Sequence, residues 1–366
     1  MIQSSMTTTA MHSGLLAVTL RLNSNGCGPF HWIQKKICRS QCKRNSKDLI
    51  LRCPSTLLAT LDLKLGNTDA IRGPAHAKLN LFLHVQEARK DGFHNLESLV
   101  AFAELHDVIS IEKADRLELL RTGPFATEVD VEPKQDLIVR AALALGRLAG
   151  IEPKVRISLT KNIPVSAGLG GGSSDAAATI KLLSQYWDIS INQPNIMSLA
   201  LSLGADVPAC IHGKEALIRG VGETIIPASL PKKKLAVVFV KPKESLSTSS
   251  VFKFFTGPFV KECSQRLKFT NIGSLAAYLS GKKNSLTSPA EILCSDIKTA
   301  LAGLNESQGC YLSRLSGSGP TCFGLFLNQK MAHASASKIS RDHPNWWVME
   351  TFISGNQGDT SRCVGY

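Results

Sequence analysis

Eleven consecutive residues carry the densest chemistry in the chain: Pro164, Val165, Ser166, Ala167, Gly168, Leu169, Gly170, Gly171, Gly172, Ser173 and Ser174. Glycines at this density let backbone amides approach an oxyanion without interference from Cβ atoms. Ser173 or Ser174 then offers an N-cap, and the helix it starts adds unpaired N–H groups and the positive end of a dipole. Such a loop is built to hold phosphate. It lacks the Gly-Lys-Ser/Thr ending of a Walker A loop, and no acidic ribose ligand stands at the spacing of a dinucleotide-binding GxGxxG, so both of those classes lose ground.

The elements around the loop follow from hydrophobic period. Ala77, Leu79, Leu81, Leu83 and Val85 alternate with Lys78, Asn80, Phe82 and His84, which predicts a strand with Lys78 and Asn80 on one face. A second strand is expected over Lys154 to Leu159, ahead of the loop. The helix after it should run to about Trp187, burying Ala176, Ala177, Ile180, Leu183 and Trp187 as one stripe. A further helix is expected from Pro194 to its stop at Gly204. Lys232, Lys233 and Lys234 precede the apolar run Leu235 to Val240, which reads as a linker entering a second domain. The expected division is therefore a basic, poorly ordered extension over 1–70, one domain over 75–231 and another over 232–366.

Composition bounds the function classes. Of 366 residues 43% are hydrophobic and 19% charged, the balance of a folded globular protein, and no apolar run reaches the ~20 residues that span a bilayer. The ten cysteines show no CxxC pairs and no histidine partners at metal-ligand spacing, which suits a reducing compartment, and no metal-ligand set is readable. A net charge of +13 raises nucleic acid as a partner. Residues 1–70 alone hold nine Lys and Arg against three Asp and no Glu, so nearly half of the excess lies in the extension. That segment has the composition of a transit peptide without its amphipathic regularity. The expected location is the cytoplasm, with the plastid stroma as the alternative if the extension is an address.

With Pro-x-x-x-Gly-Leu-Gly-Gly-Gly-Ser-Ser followed by small residues, the chain resembles the GHMP kinases at their second motif. More narrowly, it is similar to the 4-diphosphocytidyl-2-C-methyl-D-erythritol kinases. That family's Ala-Lys-Ile-Asn-Leu strand stands here as Ala77-Lys78-Leu79-Asn80-Leu81, and its Asp-Gly-Tyr-His as Asp91-Gly92-Phe93-His94. Its Gly-Ala-Asp-Val-Pro is intact as Gly204 to Pro208, followed by Gly220-Val221-Gly222-Glu223, and the third superfamily motif appears as Leu315-Ser316-Gly317-Ser318-Gly319.

The resemblance implies an α+β GHMP kinase fold of two subdomains with the ATP site at their junction, and phosphorylation of a CDP-linked alcohol with ATP and Mg²⁺. It implies Asp206 as catalytic base with Lys78 beside it, and Asn80, Phe93, His94 and Phe252 at the substrate, His94 reading the cytosine edge. The partner is then a small molecule, with neither nucleic acid nor membrane, and the working form a monomer or homodimer. Read without the family, Asp206 before Val-Pro is a turn or cap residue and Lys78 a surface lysine. The turn Ser316 to Gly319 could bind phosphate itself or buttress the loop. Departures are Phe93 for the family's Tyr, Ser166 for a loop Gly, Ser285 where Asp usually follows Asn284, and a missing Pro near Phe252.

Overall fold

The computed structural model describes residues 70–90, 92–189, 194–260 and 267–353, with a short strand pair near the start. The chain divides into two compact units, Met1–Thr68 and Asp69–Tyr366. In the first, β1 (Thr9–Ala10) pairs antiparallel with β2 (Leu16–Ala17). The expectation of a poorly ordered extension otherwise lies outside the described residues, as does Asp91.

The second unit is built on two long strands, β3 (Ile71–Ala88) and β4 (His94–Lys113), paired antiparallel. The sequence predicts one buried face for β3; both are buried. Register shifts between His76 and Lys78 and between Asn80 and Phe82 interrupt the alternation. As a result Leu81 and Phe82, adjacent in sequence, enter the same core cluster, while Leu83 and Val85 enter another. Lys78 and Asn80 nonetheless share a face, both buried.

On β4 are laid β6 (Val155–Thr160), which pairs parallel with β5 (Glu118–Thr122), and β7 (Ala216–Gly220), which forms a hairpin with β8 (Thr224–Pro227). The strand read at Leu235 is β9 (Leu235–Lys241), fully buried. It lies between β11 (Cys322–Phe326) and β12 (Trp347–Ile353), with β10 (Cys310–Leu315) outside β11. β12 also meets β4, Ile353 opposite Ala103, so the sheet runs without interruption across the chain's two halves.

Helices cover the sheet because each presents an apolar stripe. α1 (Leu137–Ala149) buries Ile138, Ala141, Ala142 and Leu145 at helical spacing. It packs on α2 (Gly171–Tyr186) with α3 (Pro194–Leu203) and the short α4 (Val207–His212), one core. A separate core joins β9 and β11 to α5 (Thr248–Lys253), α7 (Thr287–Leu293), α8 (Asp296–Asn305) and α9 (Gln329–Asp342), while α6 (Ile272–Ser280) adds Leu275 and Leu279 to the core that holds Leu81 and Phe82.

Asp136 fixes the start of α1: one carboxylate oxygen accepts from the Ile138 and Val139 amides and the other from Arg121 at 2.6 Å. Asp136→Ala is expected to cost about 1–2 kcal/mol, read as a lower urea midpoint with an unchanged slope.

Candidate active site

The glycine loop leaves β6 and turns directly into α2. Ser173 or Ser174 was expected as the N-cap, but the cap is Gly170, in the left-handed region. Ser174 is already inside the helix and buried, its hydroxyl donating to the His76 carbonyl at 2.7 Å. The Ser174 amide closes the first helical bond on the Gly170 carbonyl. The amides of Gly171, Gly172 and Ser173 therefore have no carbonyl inside the helix to bond, and they form an edge of donors of the kind that suits an anion.

Two supports hold that edge. The Lys78 amide donates to the Leu169 carbonyl at 2.8 Å, so the loop lies along β3. From the other half of the chain, the Ser316 hydroxyl donates to the Gly168 carbonyl at 2.9 Å and the Thr321 amide to that of Ala167. A Cβ on Gly168 would come within 2.5 Å of the Ser316 carbonyl oxygen and 2.7 Å of Gly319's, so only glycine fits this contact. Of the two expectations for the Ser316 to Gly319 turn, these contacts perform the buttressing one. Asn284 holds the turn in place through the Leu315 and Gly317 carbonyls, and Ser285 accepts from the Val85 amide.

Beside the loop, Lys78 Nζ lies 2.7 Å from Asp206 Oδ1 and 3.0 Å from Asn80 Oδ1. Asn80 in turn donates to the Ser98 hydroxyl, which donates to the Phe82 carbonyl, so its amide orientation is set by a chain of bonds. An ammonium has three protons, and two are directed at these partners. Lys78 is buried, not the surface lysine of a family-free reading, whereas 47% of the Asp206 side chain is exposed. Asp206 occupies the N-cap position of α4 yet makes no side-chain capping bond. Its carboxylate faces Lys78 instead of the helix amides.

Residues 136–214 match the family model for the GHMP kinases N terminal domain and 262–345 that for the GHMP kinases C terminal domain. The 4-diphosphocytidyl-2-C-methyl-D-erythritol kinase of Rhodospirillum rubrum is 38% identical over 80% of this chain and 95% of its own length. That of Cereibacter sphaeroides is 40% identical over 77% and 98%. This chain belongs to that kinase family. A crystal structure of a 4-(cytidine 5'-diphospho)-2C-methyl-D-erythritol kinase superposes with a TM-score of 0.63 at 30% identity, covering 78% of this chain and all of the other. A homoserine kinase of Cytophaga hutchinsonii, 17% identical with a TM-score of 0.58 over 80% of this chain and 96% of its own, shares the fold alone. The chain is thus a small-molecule kinase of the GHMP fold, its two family domains contributing the loop and the loop's buttress.

Within this kinase, sequence reasoning missed a buried charge cluster behind the loop. Lys161 Nζ lies 2.6 Å from both Asp107 Oδ2 and Asp175 Oδ2, and Asp107 Oδ1 also accepts from the Asn162 and Ile163 amides. Burial works against the Lys161 ammonium, but the two carboxylates outweigh it and raise it. Burial, with Asp107 adding to it, pushes Asp175 up to about 8 despite Lys161. The Lys161 ammonium sits 3.1 Å from where a Gly171 Cβ would be, directly behind the amides of the loop. The available signal was Asp175 itself, a charge inside an otherwise small and apolar helix stripe.

The aromatic residues assemble in part. His94 stacks on Phe252 with ring centroids 5.4 Å apart and 28° between planes. Phe255 meets His94 edge-on, and Phe259 lies near-parallel to it at 6.4 Å; neither was anticipated. Phe93 remains 63% exposed on the turn before β4. The ring stacked on Phe252 is the imidazole of His94.

Proposed function

We propose that the enzyme transfers the γ-phosphoryl group of ATP to the 2-hydroxyl of 4-diphosphocytidyl-2-C-methyl-D-erythritol, releasing ADP and the 2-phosphate, in non-mevalonate isoprenoid precursor synthesis. The observation that carries this reading is the Lys78 to Asp206 pair of 2.7 Å placed next to an amide-lined phosphate loop, in a chain of that kinase family.

In this reading the amides from Gly171 to Ser173 hold ATP phosphates. Asp206 accepts the proton of the acceptor hydroxyl as its oxygen bonds to the γ-phosphorus and the bridging β,γ oxygen departs with ADP. Lys78 offsets negative charge at the transferred group, and Asn80 keeps Lys78 aimed. Mg²⁺, when bound, would offset negative charge on the ATP phosphates, and from the protein it would ask for one or two oxygens. The Ser173 hydroxyl, without a hydrogen bond to another described residue, and the half-exposed Asp206 carboxylate fit that request.

His94 and Phe252, with Phe93 nearby, are assigned to the cytosine. Base stacking on an aromatic face contributes roughly 1–3 kcal/mol. Phe252→Ala is therefore expected to raise KM for the CDP-alcohol by about tenfold or more, with KM for ATP unchanged; equal rises in both would remove Phe252 from the base site. The test of the whole reading is ATP consumption on a panel of alcohols. Preference for homoserine or mevalonate over the CDP-alcohol would refute it.

No helix among the described residues is long and apolar enough to cross a membrane. We infer a cytoplasmic enzyme acting as a monomer or homodimer without nucleic acid. Plastid import of a fluorescent fusion carrying residues 1–70 would overturn that location.

A further inference from the structure

Asp206 is half exposed and unused as a helix cap, so something other than α4 must fix where its carboxylate points. Ala205, the residue before it, is exposed, but its carbonyl lies against the turn that joins β7 to β8. In that turn Gly222 has φ 113°, and its amide donates to the Arg219 carbonyl at 3.2 Å. A Cβ on Gly222 would overlap the Ala205 carbonyl oxygen and come within 2.9 Å of its carbon. Glu223 folds back so that its carboxylate accepts from the Val221 amide at 2.6 Å, and a Cβ on Gly220 would collide with that carboxylate. The turn is therefore closed on itself and pressed on one peptide group of the Asp206 loop.

The same turn is rigidly referenced to Lys78. β7 pairs with β4 from Ala216 opposite Val100 to Gly220 opposite Leu96, and β4 pairs with β3, placing Val100 opposite Asn80 and Phe102 opposite Lys78. Both ends of the Lys78 to Asp206 pair are thus measured from β4: Lys78 through β3, and Asp206 through β7 and the turn.

We propose that Gly222 is a positioning residue for Asp206, its missing side chain letting the β7–β8 turn seat against the Ala205 peptide and hold the carboxylate at Lys78. This rests on Asp206 being the catalytic base. A displaced Ala205 carbonyl rotates the 205–206 peptide and moves Asp206, and misplacement of a reacting group by about 1 Å costs on the order of a hundredfold in rate.

The experiment is Gly222→Ala in the full chain, alone and combined with Asp206→Asn, with kcat on the CDP-alcohol and ATP affinity measured separately. The single variant should lose about a hundredfold in kcat with ATP affinity within about threefold of wild type. Added to Asp206→Asn it should cause no further loss, because it acts through that carboxylate. Near-wild-type kcat in Gly222→Ala, or the same hundredfold loss in both backgrounds, overturns the proposal. Where Gly222→Ala fails to fold, Glu223→Ala removes the acceptor of the Val221 amide and loosens the turn without entering the space of Ala205. It should lower kcat about tenfold at unchanged ATP affinity, again only when Asp206 is present; a loss independent of Asp206, or none, overturns the proposal equally. Full turnover in Asp206→Asn alone would instead refute the base assignment, a result distinct from an inactive Asp206→Asn beside an active Gly222→Ala.

Discussion

Asp206→Asn is expected to lower kcat by about 10²–10⁴, the range that a positioned general base contributes, while ATP affinity stays within about threefold. Asparagine keeps the size of the side chain and an oxygen for the Lys78 ammonium but cannot take up the acceptor's proton. Its effect on folding is read separately by urea unfolding, because the Asp206 side chain is 47% exposed but the Lys78 ammonium it pairs with is buried. Steady-state turnover beside nucleotide titration checks both parts. Unchanged turnover would remove Asp206 as base, and parallel loss of kcat and ATP affinity would point to collapse of the site instead.

The second large effect is expected behind the loop. Lys161→Met leaves Asp107 and Asp175 buried without their shared cation, a loss of about 3–5 kcal/mol by urea unfolding. ATP affinity should fall as well, since the ammonium backs the start of α2. Asp175→Asn behaves differently because it keeps Lys161 paired with Asp107. The sign of its pH dependence follows from the raised carboxyl. In the unfolded chain Asp175 ionises near its ordinary 3.8, whereas in the folded protein it keeps its proton to about 8. Between these values the native state binds more protons, so this group lowers stability progressively as pH rises from 4 to 8. An asparagine cannot ionise, so the stability of Asp175→Asn relative to wild type should improve across that window. A constant difference from pH 4 to 8 would show that Asp175 is ionised throughout. The groups facing it here are Lys161 and Asp107, and both belong to the same unfolding measurement.

The parts of this site legible in the sequence are those set by short-range rules. The glycine cluster announces anion binding by composition alone, and period two places Lys78 and Asn80 together even though bulges disturb the rest of β3. The N-cap was misread because serine is the usual capper; here the left-handed Gly170 takes that place and Ser174 is drawn inward by the His76 carbonyl. The role left to Asp206 could not be seen either, since its freedom from capping depends on Lys78, 128 residues away. The Lys161 cluster joins β4, the end of β6 and α2, and no local pattern records that meeting. Among the aromatic residues, Phe255 and Phe259 follow Phe252 closely in sequence, yet only the tertiary fold brings them to His94.

The buttress contact also sets when the glycine loop gains its full support during synthesis. The loop is complete once Ser174 has emerged, but Ser316 and Thr321, which hold its carbonyls, are made much later, and β12, the last described strand, is inserted between β9 and β4 rather than added at an edge. At about 5–20 residues per second the nascent chain spends several seconds with the glycine loop held from β3 alone, through the Lys78 amide, and with β12 still missing from the middle of its sheet. The loop that leaves β6 is thus completed by contacts from residues made far later, Ser316 lying 148 positions after the Gly168 it holds.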